Sequence, residues 1–127
     1  MESKKGLYKG FVLSESLSNP LVLNTFEKIN VKVEKHNDIN YPEFWHLFML
    51  RISEDEIQKA VELVCEYLKN GWYAHFWNEE ILFICLPNHL FKIERHIDSF
   101  EKEFDKVKDF AETFGIKRQY LDFIIED

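Results

Sequence analysis

The chain has 127 residues, the size of one domain, and its hydrophobic fraction of 46% with 12 Phe supplies enough apolar surface for a packed core. Its 16 Lys and Arg against 23 Asp and Glu give a formal net charge of -7, which disfavours nucleic acid as a partner because the phosphate backbone is also negative. No segment approaches the roughly 20 apolar residues of a membrane span, and no apolar run of secretory length follows the charged N-terminus, so we expect a cytoplasmic protein with no membrane partner.

The N-terminal 43 residues predict a strand, a short helix and a second strand. Residues 7–13 are largely apolar and indicate the first strand. The sequence Ser18-Asn19-Pro20 offers a helix N-cap followed by proline at the first helical position. Residues 28–35 alternate apolar and polar side chains, which is typical of a strand with one exposed face. We interpret these elements as an extension that precedes a core at residues 44–127 of the same single domain.

The core predicts strand, helix, strand, strand and helix in that order. Both helices carry apolar side chains at the spacing of a one-sided helix. A capping box at Ser53-Glu54-Asp55-Glu56 starts the first helix, Asn70-Gly71 closes it, and Gly115 closes the second. The loop Asn78-Glu79-Glu80 has a length that suits a hairpin. The predicted bounds are strand 44–52, a helix with its apolar stripe at 57–68, strands 72–77 and 81–86, and helix 98–114.

This order predicts an α+β protein with a ferredoxin-like βαββαβ core at about residues 44–125, preceded by a β-(short helix)-β extension. The last core strand is expected at residues 120–125, although residues 90–94 also alternate and are an alternative. The first and third core strands are the most apolar and are expected at the centre, with His75 and Asp122 on edge strands. Helices on one face would leave the other open to the N-terminal 43 residues, a second copy or a ligand.

The sequence offers no recognisable metal, nucleotide or nucleophile motif. Cys65 and Cys85 each lie within an apolar run, which is typical of buried free thiols. His89 and His96 are too far apart for the usual metal-ligand pairs. The 4 glycines are not clustered as phosphate-binding loops require, and no nucleophile elbow is present. We therefore expect no metal and no cofactor.

Two aromatic strands contain the candidates for a functional site. His46 and His75 interrupt otherwise apolar runs, and histidine can act as a general acid or base or hydrogen-bond a ligand. The alternative is that each is half-buried with a structural hydrogen bond. Asp122 lies between two apolar residues and has the same two interpretations. The candidate ligand-binding residues are His46, His75, Tyr73, Trp45, Trp77 and Asp122.

A pattern in the C-terminal half resembles a family of small prokaryotic proteins without an assigned activity. The residues that carry the resemblance are Gly71-Trp72-Tyr73, Phe76, Asn78, Pro87, Phe91, Gly115-Ile116 and Leu121-Asp122-Phe123. Asn88 stands where the family pattern would have a glycine after the proline. The resemblance implies a small domain and assigns no catalytic residue.

Aromatic excess without catalytic motifs favours a non-enzymatic module that self-associates, as a homodimer, or binds a small ligand. A second hypothesis is a small enzyme that uses His75 or His46 as general acid or base, oriented by Asp122. A third is an accessory protein that binds another polypeptide through its acidic surface. The sequence does not decide between enzyme and binding module.

Overall fold

The computed structural model describes residues 7–122 and residue 125. It contains one antiparallel sheet of six strands, two α-helices and three short 3-10 helices. The strands are β1 Leu7–Leu13, β2 Glu27–Lys35, β3 Phe44–Ser53, β4 Ala74–Trp77, β5 Ile81–Leu86 and β6 His89–Glu94. The helices are α1 Ile57–Tyr67 and α2 Phe100–Glu112, and the 3-10 helices are Ser14–Ser16, Pro20–Thr25 and Arg118–Tyr120. The α+β class predicted from the sequence is confirmed.

The strand order is β2-β3-β1-β4-β5-β6. Because β1 is antiparallel to both β3 and β4, those two strands run parallel, and α1 is the crossover between them. The other neighbours β2–β3, β4–β5 and β5–β6 are hairpins. The N-terminal strands are therefore part of the sheet, with β1 near its centre, and do not cover it.

This order does not confirm the ferredoxin-like arrangement. That arrangement would place β3 beside β5, whereas β1 and β4 lie between them. As a result β4, expected at an edge, is an interior strand. The alternative last strand at residues 90–94 is confirmed, because β6 spans His89–Glu94. In the segment expected as the last strand, residues 120–125, Leu121 and Asp122 are not in a strand, and residues 123 and 124 lie outside the described residues.

The two helices pack on opposite faces of the sheet, contrary to the expectation that both cover one face. On the first face, α1 packs with Val61 and Val64 against a core that includes Phe76 and Phe83. On the second face, α2 packs against the β5–β6 end of the sheet in a separate core. The second core contains Trp77, Leu82, Ile84, Leu86, Ile93, Val107, Ala111, Ile116 and Leu121.

Several local signals work as predicted and two do not. The side chain of Asn19 accepts a hydrogen bond from the Leu21 N–H, which caps the helix that begins at Pro20. The capping box does not form, because residues 54–56 make a turn and α1 starts at Ile57 without a side-chain cap. The helix also ends before Asn70-Gly71, since Leu68 leaves it to pair with Leu17. None of the helices in the described ranges is long and apolar enough to cross a membrane.

Candidate functional site

A groove with a volume of about 440 Å³ opens on the second face, where α2 does not reach. The sheet forms its floor, and the loop after β2 and the C-terminal residues 116–122 form its walls. Alternate residues of a strand lie on the same face of the sheet, so the apolar residues at these alternate positions form the floor. Phe11 and Leu13 of β1 and Leu47 and Met49 of β3 meet there. The volume lies in the range of small-molecule sites.

Four aromatic rings pack together along one wall. Tyr41 comes from the loop, Trp45 from β3, and Trp72 and Tyr120 from the segments on either side. The ring centroids of Tyr41 lie 5.2 to 5.8 Å from those of the other three, in edge-to-face contacts. Trp45 makes similar contacts with Trp72 and Tyr120 at 5.6 and 5.7 Å. The rings touch, so they form a continuous wall and leave no cage between them for a cation.

Two buried nitrogen atoms in this wall have no hydrogen-bond partner. The imidazole of His36 stacks on the indole of Trp45 with a centroid distance of 3.6 Å. Nε1 of Trp45 and Nε2 of His36 are both solvent-inaccessible and unpaired within the described part of the chain. Trp45 is only 9% exposed. An indole N–H is a donor only, and burying it without an acceptor costs about 1–3 kcal/mol.

The loop is tied to the C-terminal segment by Asp38. Its carboxylate accepts hydrogen bonds from Lys117 Nζ at 2.7 Å, Tyr120 OH at 3.2 Å and the Asn40 N–H at 3.0 Å. The Lys117 ammonium lowers the pKa of Asp38, and Asp38 in turn raises the pKa of Lys117. We call this pair, Asp38 and Lys117, the latch, since it joins the two walls of the groove.

His75 belongs to the groove floor and not to an edge strand. It is 4% exposed and lies in β4 between β1 and β5. Its ring stacks on Trp77 at 5.2 Å and lies 5.7 Å from Phe11 and 6.3 Å from Tyr73. The expectation that His75 lies on an edge strand is therefore wrong, because the sequence does not show that β1 pairs with β4.

Tyr73 and Asp122 lie together at one end of the groove. The Tyr73 hydroxyl donates to the carbonyl of Tyr120 and lies 3.4 Å from Oδ1 of Asp122. These contacts attach the C-terminal segment to the residue that precedes β4. Both residues line the groove, as do His75 and Trp45.

The other two candidates lie elsewhere. His46 is on the first face, where its Nδ1 is 2.7 Å from Oε2 of Glu15 and its N–H donates to Oε1 at 2.6 Å. Burial acts to raise the pKa of Glu15, but these hydrogen bonds from His46 outweigh it and lower the pKa. Trp77 is fully buried in the second core and does not line the groove. The structure thus brings four of the six candidates together, and their role in binding stays a prediction.

The main groove residues absent from the candidate set are His36, Tyr41, Trp72 and Tyr120. His36 and Tyr41 lie in the loop after β2, and Tyr120 lies in the segment expected as a strand. An aromatic residue in an otherwise polar loop, as at Tyr41, is the signal that could have pointed to them. The sequence predicts Trp72 in a strand, whereas Trp72 lies between the turn at Asn70-Gly71 and the start of β4.

The cysteines and acidic residues do not add a second site. Cys65 and Cys85 are buried free thiols, as expected, and burial raises the pKa of Cys85. Within residues 7–122 and residue 125, no cluster of three or more His, Cys, Asp or Glu side chains could hold a metal ion.

Comparison with protein-family models, with curated proteins and with solved structures finds no match for the chain. The resemblance based on the Gly71-Trp72-Tyr73 pattern therefore stays a prediction.

Proposed function

We propose that the protein binds a small, flat, uncharged molecule in the groove, and that the rings of the aromatic wall shift on binding so that a hydrogen-bond acceptor of the ligand reaches Nε1 of Trp45, which solvent does not reach in the unliganded wall. The observation that carries the proposal is the unpaired indole N–H, which lies in the aromatic wall of an apolar groove. A ligand acceptor would satisfy a donor that otherwise remains buried at a cost. This combination of an apolar lining and few polar groups is typical of small-molecule sites.

The lining supports the shape and charge of this ligand. Tyr41, Trp45, Trp72 and Tyr120 offer ring faces and edges on which a planar molecule can pack. The charged side chains along the groove are Lys32, Glu34 and Asp122, one positive and two negative. A strongly anionic ligand such as a nucleotide is therefore disfavoured, in agreement with the net charge of -7.

Quinoline and naphthalene are a matched pair of probes for this proposal, since they share a shape and differ in one acceptor nitrogen. The chain has 3 Trp, so an isotope-labelled sample gives three indole N–H signals in an NMR spectrum. We expect quinoline to shift the Trp45 signal and to bind up to about tenfold more tightly than naphthalene, the value of one neutral hydrogen bond. Trp77, buried in the second core, is the internal control.

Trp45→Phe removes the donor and should make the two probes bind equally. His46→Ala, on the opposite face, should leave the preference for quinoline intact. Equal affinity of the unaltered protein for both probes would overturn the assigned donor role of Trp45. Absence of any shift in the Trp45 and Trp72 signals with either probe would overturn binding in the groove.

The enzymatic alternative now depends on His75. His46 faces away from the groove and pairs with Glu15, whereas His75 lies on the groove floor with Tyr73 and Asp122 nearby. A catalytic role would require turnover of a ligand found for the groove, and loss of that turnover in a His75→Gln variant that still binds.

A further inference from the structure

The two walls of the groove differ in how firmly they are attached to the rest of the fold. The C-terminal wall, residues 116–122, contains Ile116 and Leu121, which are 3% and 1% exposed and belong to the second core. Between them, the carbonyl of Tyr120 accepts a hydrogen bond from the Tyr73 hydroxyl. Buried contacts therefore hold this wall on both sides of Tyr120.

The opposite wall is the loop after β2, residues 36–43, and it is packed much more loosely. None of these eight residues, all of which the structure describes, is buried. Ile39, in the turn at the tip of the loop, is 96% exposed. The base of the loop is closed by the His36 N–H, which donates to the carbonyl of Glu43 at 2.7 Å. A loop with few buried contacts opens at a lower free energy than the core unfolds, so this wall is the one expected to move.

The loop supplies part of the cover over the buried indole of Trp45. Nε1 of Trp45 is solvent-inaccessible and has no hydrogen-bond partner within the described residues. His36 and Tyr41 of the loop contact this indole, with centroid distances of 3.6 and 5.8 Å. The other contacting rings, Trp72 and Tyr120, belong to the anchored side of the groove. Movement of the loop away from the C-terminal wall would therefore take the Tyr41 ring off the indole.

The latch is the polar connection between the loop and the anchored wall. The Asp38 carboxylate accepts hydrogen bonds from Lys117 Nζ at 2.7 Å and from Tyr120 OH at 3.2 Å. Lys117 directly follows the buried Ile116, so its backbone is held in place. Its side chain is 47% exposed, and ion pairs that solvent reaches are weak. The latch therefore holds the loop closed with a free energy small enough for thermal motion to overcome.

We propose that the loop at residues 36–43 is a gate over Nε1 of Trp45, that the latch keeps the gate shut, and that the ligand of the groove binds the open state. The identity of the ligand rests on the proposed function, whereas opening of the gate can be measured without a ligand. The latch is then an autoinhibitory contact, because apparent affinity is reduced by the fraction of molecules that are open. Loosening the latch should raise the open fraction and the apparent affinity by the same factor.

Exchange of the Trp45 indole N–H with water, followed by NMR without ligand, measures the open fraction, since the closed state excludes solvent from this atom. Lys117→Met removes the cation and leaves the other hydrogen bonds of Asp38 in place. We expect it to speed the exchange about two- to fivefold, the value of a partly exposed ion pair. Quinoline should bind this variant more tightly by the factor by which exchange accelerates. Asp38→Asn/Lys117→Met should exchange no faster than Asp38→Asn, because the latch is already broken.

Lys35→Met is the matched control. It makes the same substitution at the base of the loop, where Lys35 pairs with Glu43 at 3.5 Å and does not join the two walls. It should leave exchange of the Trp45 indole N–H unchanged. The indole N–H of Trp77, buried in the second core, should exchange at the same rate in all of these variants. Equal acceleration at Trp77 would indicate unfolding of the whole domain and would overturn the gate.

The two measurements separate the gate from its ligand. Unchanged exchange at Trp45 in Lys117→Met, or the same acceleration in Lys35→Met, would overturn the gate. Faster exchange with unchanged affinity for quinoline would overturn the autoinhibitory role of the latch. Faster exchange in a protein that binds neither quinoline nor naphthalene would support the gate and overturn the proposed ligand.

Discussion

The two ends of the sheet differ in how they are covered. Strands β4 and β5 lie between α1 and α2, and nine of their ten residues are buried. At the other end, β2 is exposed along most of its length, and β3 alternates between buried and open positions. The residues that stabilise the fold and the residues that form accessible surface therefore lie at different ends of one sheet. The covered end supplies the core, and the open end supplies the groove floor and a free edge.

The largest expected effect on stability comes from making the same Phe→Ala substitution at both ends of the sheet. Phe83→Ala in β5 removes a ring that is 2% exposed and should lower the free energy of unfolding by about 3–5 kcal/mol, through lost burial and a cavity. Phe44→Ala in β3 removes a ring that is 48% exposed and should cost about 1 kcal/mol. Urea titrations of both variants measure the two values. Equal losses would show that the open end is covered in solution.

Gly10→Ala tests the packing where the two ends meet. A Cβ atom at this position in β1 would lie 2.1 Å from Cδ2 of Phe76, its cross-strand neighbour in β4. The ring covers the glycine, so we expect a loss of about 1–3 kcal/mol from overpacking. The double variant Gly10→Ala/Phe76→Leu should cost less than the sum of the single changes, because the smaller side chain makes room. Additive losses would contradict the close contact.

The two histidines give a smaller but more specific comparison. His75→Ala should cost about 2 kcal/mol, because the side chain is buried among Phe11, Tyr73 and Trp77. His46→Ala should cost about 1 kcal/mol or less, since the His46 side chain is 46% exposed and solvent weakens its contact with Glu15. Thermal unfolding of the two variants should rank them in this order. The reverse order would show that Glu15 and His46 contribute more than an exposed pair.

The parts of the fold that the sequence predicts are those encoded by neighbours in the chain. The apolar stripe of α1, the continuous run of β5 and the alternation of β2 each follow from local periodicity. The strand order does not follow, because the pairing of β1 with β3 and β4 joins segments far apart in sequence. Periodicity in the sequence indicates that a segment is a strand, but it does not show which strands pair with it.

The same limit applies to the groove. The sequence marks Tyr73, His75, Trp45 and Asp122 as candidates, because polar and aromatic residues are mixed within short runs there. Their gathering depends on the long-range contacts of the loop and the C-terminal segment. A local signal that the structure does bear out is the turn after Pro87, where Asn88 has a positive φ of 58°, a conformation that asparagine adopts more readily than most residues other than glycine.

The last and smallest effect concerns the latch, which joins the two walls of the groove. Lys117 lowers the pKa of Asp38 in the folded protein. The latch therefore stabilises the joined walls of the groove at a pH above the usual aspartate pKa. This stabilisation is lost as the pH falls through the lowered pKa of Asp38. We expect the fluorescence of Trp45 and Trp72 to change over this acid range, before global unfolding. Asp38→Asn should show the altered fluorescence already at neutral pH and lose the acid transition. Glu15→Gln, which removes an acid-sensitive contact on the opposite face, should retain it. An unchanged acid transition in Asp38→Asn would mean that Asp38 does not hold the groove wall.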